Sequence, residues 1–259
     1  MEPAYTFART LLKPWGHAWF RLEARNVEAI PARGPAIVAF NHIAYLDALA
    51  AMWVIDKAKR RARFLAKAEL WEDARLRWLL DGTRQIPVRR GTPAAPAALE
   101  AAVSALRAGE VVAVFPEGSA SSALDLRTRS AKSGAARLGL ATGVPLIPAA
   151  IWGTQNVWPK DMRKNWRPRQ RIIVSVGEPL TYEGNPGSVD DFEALGKRLV
   201  AEIEALAAEL RPLILDRRRS SDPPAGDPHR GDRQRDRGGN QLDRDDLPEG
   251  RWIEHDYPV

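Results

Sequence analysis

The chain has 259 residues, 44% hydrophobic and 28% charged, enough for one large core or two small ones. It holds 0 cysteines, which excludes a disulfide framework, thiolate catalysis and zinc–thiolate sites and suits a reducing cytoplasm. The net charge of +6 is uneven: 30 Lys/Arg stand against 22 Asp/Glu before Asp216, and the stretch from Asp216 onward is slightly acidic. A basic body suits an anionic partner, whether phosphate groups, anionic lipid or nucleic acid.

The opening residues, Met1 to Phe7, lack the basic end and apolar middle of a signal peptide. From Tyr5 to Glu23, Phe7, Leu11, Leu12, Trp15, Ala18, Trp19 and Leu22 recur at helical spacing with Arg9, Lys13, His17 and Arg21 between them. This predicts an amphipathic helix, bent or interrupted at Pro14 and too charged to span a bilayer. Its mix of Trp and basic residues around an apolar stripe is that of an interfacial helix. Residues 1–26 are therefore assigned to a membrane-associating segment, 27–215 to an α/β domain and 216–259 to a tail.

Ala36 to Phe40 is a short apolar run, and a second apolar segment begins near Ala48. Between them lies Asn41-His42-Ile43-Ala44-Tyr45-Leu46-Asp47. Neither a continuous helix nor a continuous strand brings residues 42 and 47 to one face, so His42 and Asp47 meet only if the chain bends between them. A histidine held there by a carboxylate has the makings of a general base. Phe64 to Ala66 reads as a strand and Ala68 to Leu80 as a helix. Gly82 to Gly91 contains a short strand ending in Arg89 and Arg90, and arginine's planar fork suits phosphate. Pro93 to Ala108 is an alanine-rich helix stopped by Gly109.

Val111 to Val114 is a strand that delivers Phe115-Pro116-Glu117-Gly118-Ser119. Gly118 would let the backbone approach a ligand, and Arg127, Arg129, Lys132 and Arg137 follow the loop as a cationic cluster. Leu138 to Pro159 holds no charge, but its Gly and Pro residues argue against a membrane span, and Val144 to Ile151 reads as a buried strand. Trp152, Trp158 and Trp166 with Lys160, Arg163 and Lys164 form a loop of interfacial composition. Arg171 to Gly177 is a further strand, and Ser188 to Arg211 a helix with a capping-box-like start. Beyond Asp216, apolar residues almost vanish, which predicts disorder.

His42-x4-Asp47, Gly82 to Arg89, Phe115 to Ser119 and Val144 to Pro148, in that order, resemble the blocks of the lysophospholipid acyltransferase family, the 1-acylglycerol-3-phosphate acyltransferases. The resemblance covers roughly residues 27–180. The alternation of strand-like and helix-like segments itself implies a single α/β domain with a largely parallel, mixed sheet flanked by helices. The resemblance implies acyl transfer from acyl-CoA or acyl-carrier protein to lysophosphatidic acid, with no metal and no cofactor beyond the acyl donor. His42 would deprotonate the acceptor hydroxyl and Asp47 would hold it. Arg89, Glu117, Gly118, Ser119, Arg127 and Lys132 would bind the acceptor. One departure is visible: the family's third block continues Thr-Arg where this chain has Ser119-Ala120. The expected partners are the acyl donor, a lysophospholipid and an anionic membrane surface, with the enzyme peripheral on the cytoplasmic face of the cell membrane.

Three other readings compete. A different lysolipid acceptor is one. A nucleic-acid binder would explain the sequence pI of 9.8, but no recognition motif is present. A non-catalytic lipid-binding relative would not need both His42 and Asp47. A serine hydrolase is excluded for lack of a Gly-x-Ser-x-Gly elbow.

Overall fold

The computed structural model describes residues 3–89, 95–117, 134–160 and 163–214. Its centre is a 7-stranded sheet. The strands are β1 (Phe20–Arg25), β2 (Ala36–Phe40), β3 (Ala62–Lys67), β4 (Ile86–Val88), β5 (Val111–Val114), β6 (Leu146–Trp152) and β7 (Gln170–Val176), in the spatial order β1-β7-β6-β2-β5-β3-β4. All neighbours pair in parallel except β6 with β7, so β1 and β7 run against the other five strands. The architecture is the single α/β domain that alternating strand-like and helix-like segments imply.

Burial explains which runs became strands. Every residue of β2, β5 and β6 is buried, as continuous apolar runs between two helical layers must be. On one face, α2 (Asp47–Lys57) packs Ala51, Val54 and Ile55 against Val38, Phe40, Ala113 and Ile151. On the other, α4 (Ala95–Arg107), α5 (Gly134–Thr142) and α6 (Val189–Leu210) cover Ile37, Ala39, Val112 and Leu146 with Leu106, Leu138, Leu199 and Ile203. Each fully buried Leu or Ile here contributes about 1.5–3 kcal/mol relative to exposure.

The ends of the elements follow local chemistry. Ser188 accepts the backbone N–H of Asp191 and starts α6, and Gly109, at φ +78°, follows α4. The predicted helix over Ala68–Leu80 is instead a 3-10 turn (Ala68–Trp71) followed by α3 (Ala74–Gly82). Asp73 makes the break: its carboxylate accepts from the N–H groups of Arg75 and Leu76 and so caps a new helix.

The N-terminal helix, α1 (Pro3–Trp19), runs through Pro14 without the predicted interruption. It stops short of Glu23, because Phe20 to Arg25 form β1, paired in register with β7. Two patterns coexist in that stretch. Trp19 and Leu22 continue the helical stripe, but Arg21, Glu23 and Arg25 also alternate with Leu22 and Ala24 at period two. The strand wins because Phe20 is buried there, and because Arg171 of β7 donates to Glu23 over 2.6 Å. Arg171 and, next, Arg25 hold the Glu23 carboxyl below its ordinary range, against the opposing effect of desolvation. The tail from residue 216 lies outside the described residues.

Candidate active site

Strands β2, β5 and β6 are parallel, so their carboxyl ends lie together, and open α/β sheets bind ligands outside those ends. The turn after β2 is pinned there from its first residue. The side-chain amide of Asn41 donates to the carbonyl of Ile151 over 3.0 Å and accepts from the N–H of Ile151 over 2.7 Å. Asn41 thus mimics one more step of sheet pairing, and His42 is carried clear of the sheet edge.

The bend that the His42–Asp47 spacing demands is present. His42 Nδ1 lies 2.9 Å from Asp47 Oδ2, and the same oxygen accepts the N–H groups of Ile43 (2.6 Å) and Ala44 (2.7 Å). The other oxygen accepts the hydroxyl of Thr154 over 2.5 Å. Asp47 is wholly buried, and its position in the first turn of α2 places its charge at the favourable end of the helix dipole. With Nδ1–H donating to a carboxylate, the lone pair of neutral imidazole is on Nε2. The His42 side chain is 20% exposed. One face of its ring stacks on Phe115 at a centroid distance of 4.5 Å, which leaves few ways for it to turn.

Glu117 joins this group from β5. Its carboxylate accepts the backbone N–H of His42 over 3.0 Å, tying the end of β5 to the turn after β2. Arg89 follows β4 at the same end of the sheet, exposed and two strands farther from β2 than β5 is. Gly118, Ser119, Arg127 and Lys132 lie outside the described residues. Sequence reasoning missed two members of the site, the Asn41 side-chain bridge and Thr154. Thr154 follows Gly153, whose φ of +105° and contact with the carbonyl of Arg171 leave no room for a Cβ. The available signal was a Gly-Thr pair directly after a buried strand.

Beside the dyad runs a chain of aromatic contacts. Tyr45, 51% exposed, meets Trp158 at 5.5 Å, and Trp158 meets Trp166 at 5.7 Å. Lys164 sits 3.9 Å over Trp158, and the Trp19 indole N–H donates to the carbonyl of Trp166. These aromatic and cationic groups share the end of the sheet that carries His42.

The turn after β2 presents an imidazole, oriented by a buried carboxylate, at the carboxyl end of the sheet, and comparison with known proteins gives the class. The model of the Acyltransferase family matches residues 21–152, about half of the chain, which contain His42, Asp47, Arg89 and Glu117. The chain belongs to that family, and its reaction class is O-acyl transfer. It is 27% identical over 190 residues to 1-acyl-sn-glycerol-3-phosphate acyltransferase of Bacillus subtilis, an alignment covering 73% of this chain and 85% of the relative. It is 24% identical over 159 residues to the chloroplastic 1-acyl-sn-glycerol-3-phosphate acyltransferase LPAT1 of Arabidopsis thaliana, covering 59% of this chain and 43% of that protein. Among solved structures, the 1-acyl-sn-glycerophosphate acyltransferase PlsC of Thermotoga maritima superposes with a TM-score of 0.54 at 26% identity, covering 79% of this chain and 78% of that one.

Proposed function

We propose that the chain transfers a fatty acyl group from acyl-CoA or acyl-carrier protein to the free hydroxyl of 1-acyl-sn-glycerol-3-phosphate, forming phosphatidic acid. The observation that carries this reading is the buried, fully hydrogen-bonded Asp47 carboxylate against His42 Nδ1. The names of the relatives supply the acceptor. His42 Nε2 takes the proton of the acceptor hydroxyl as its oxygen attacks the thioester carbonyl. Asp47, hydrogen-bonded to Nδ1, stabilises the imidazolium that forms. The tetrahedral intermediate collapses, the C–S bond breaks, and His42 returns the proton to the departing thiolate. A thioester is already activated, so positioning plus one base is enough chemistry.

For the acceptor, Arg89 supplies a cation for the phosphate, and Gly118, Ser119, Arg127 and Lys132 complete the site as the family resemblance implies. The Glu117 carboxylate would repel a phosphate, so it serves the turn and a glycerol hydroxyl instead. The enzyme works as a peripheral protein on the cytoplasmic membrane face. Among the described residues no helix is long and apolar enough to cross a membrane. Phe7 of α1 and Trp78 of α3 meet edge-on at 5.6 Å while each is more than half exposed, a surface suited to the interface.

The test is thiol release from palmitoyl-CoA by the purified protein, with and without lysophosphatidic acid, with phosphatidic acid measured as product. Release that requires the lysolipid supports the reading. Release that requires a different lysolipid favours the second reading, for which Ser119-Ala120 in place of Thr-Arg is the specific observation. No release with any lysolipid refutes both.

A further inference from the structure

The edge of the sheet farthest from β4 carries more positive charge than its own structure uses. Arg21 of β1 and Arg171 of β7 are register partners in a parallel pair, so their side chains leave the sheet on the same face. Glu23 and Arg25 follow Arg21 at period two on that face. The one carboxylate among them is already committed: Arg25 donates to Glu23 over 2.9 Å and Arg171 over 2.6 Å. Arg171 also donates to the carbonyl of Leu213 over 2.9 Å. Arg169 lies just before β7, and among the described residues neither it nor Arg21 meets a carboxylate.

These arginines surround a cavity of about 280 Å³, lined by Arg21, Arg169, Arg171, Asn156, Gln170 and the chain around Leu213. Arg169 is held in the left-handed region at φ +63°, its N–H donating to the carbonyl of Trp19 over 2.6 Å. A non-glycine residue stays in that region only where its surroundings impose it, and such positions cluster at functional sites. Because β1 and β7 run against β2, their amino ends share the end of the sheet that holds His42. Trp19, whose carbonyl accepts the Arg169 N–H, donates its indole N–H to the carbonyl of Trp166, so hydrogen bonds and ring contacts link the arginines to the aromatic chain of Trp166, Trp158 and Tyr45.

We propose that this cavity binds the phosphate of an anionic phospholipid in the membrane surface, at a site separate from the acceptor site of the reaction. Arg21 and Arg169 take the phosphate oxygens through their guanidinium forks, and the neighbouring aromatic side chains lie at the level of the headgroups. The site anchors the active end of the sheet to the leaflet that holds the lysolipid. The inference rests on the reading of the enzyme as a membrane-surface protein.

The experiment is sedimentation of the 259-residue chain with vesicles of phosphatidylcholine alone and of phosphatidylcholine with phosphatidylglycerol. The pocket variant is Arg21→Gln with Arg169→Asn, because asparagine tolerates the left-handed conformation. Lys197→Ala with Arg198→Ala, two exposed positions on α6, gives the same change of charge elsewhere. The expected result is roughly a tenfold or greater loss of binding to the anionic vesicles for the pocket variant. The α6 variant loses far less, all proteins bind neutral vesicles alike, and thioester turnover in neutral detergent micelles is unchanged.

Equal losses in the two variants would show general charge attraction and overturn the pocket. If wild-type protein sediments with neither vesicle, the membrane-surface reading falls and takes this proposal with it. A second arm titrates inorganic phosphate at constant ionic strength and follows tryptophan fluorescence. Saturation by phosphate, with no difference between wild type and pocket variant on anionic vesicles, would make free phosphate the ligand and overturn the lipid assignment.

Discussion

The two ends of the sheet use buried and half-buried charge in opposite ways. At the end where β3 and β5 begin, arginines are consumed by structure. Arg63 grips both carboxylate oxygens of Glu110 at 2.6 Å and donates to the carbonyls of Thr83 and Arg84. Arg60 donates to the carbonyls of Pro31, Gly34 and Gly109, tying its own loop to two others. At the other end Asp47 is just as fully bonded, but one of its partners is His42, whose second ring nitrogen carries no hydrogen bond among the described residues. Complete satisfaction builds a rigid scaffold. Satisfaction of all but one atom, on the proposed reading, leaves that atom for catalysis.

Substitutions at the two ends should therefore separate activity from stability. The largest effect expected is from His42→Ala, a loss of roughly a thousandfold or more in acyl transfer with the melting transition nearly unmoved. Arg63→Ala should do the reverse. Glu110 would keep only the longer contact with Arg84 at 3.4 Å, and the lost charge-assisted hydrogen bonds should cost about 2 kcal/mol of folding stability, read by urea denaturation, while the folded fraction keeps its turnover. Thr154→Val removes one donor to the Asp47 carboxylate and should lower kcat by about tenfold with KM unchanged, and Thr154→Ser should restore it. Loss of folding in Thr154→Val without recovery in Thr154→Ser would give Thr154 a packing role only.

The smallest expected effect is one of pH. The Arg63 guanidinium hydrogen-bonded to Glu110 is the largest influence on that carboxyl and holds it below the ordinary 4.5, desolvation opposing. A carboxyl lowered by folding stabilises fully above its unfolded value, and the contribution fades as pH falls through the folded one. Stability should thus decline on acidification below about pH 4.5, and Glu110→Gln should flatten that decline. An unchanged slope in Glu110→Gln would assign the acid sensitivity to other carboxylates.

The parts legible in the sequence were those with a local signature. Val111 to Val114 and Arg171 to Val176 announced themselves as strands by uninterrupted or nearly uninterrupted apolar runs, and Ser188 announced the start of α6. His42 and Asp47 were legible because their spacing makes sense only across a bend. The remainder rests on contacts between distant residues that no local pattern records. Asn41 and Ile151 are 110 positions apart, and Thr154 and Asp47 are 107 apart. β1 was misread because a helical stripe and a strand alternation overlap at Trp19 to Arg25, and only pairing with β7 decides between them.

The central claim is that His42 and Asp47 act as one unit, and a double-mutant cycle tests it most directly. Acyl transfer would be measured for wild type, His42→Ala, Asp47→Asn and the double variant, each checked for folding by circular dichroism. The expected result is strong non-additivity, with the double variant no slower than His42→Ala alone, because Asp47 acts only through the imidazole. Independent, multiplicative losses, or a folded His42→Ala protein that retains its activity, would contradict the account.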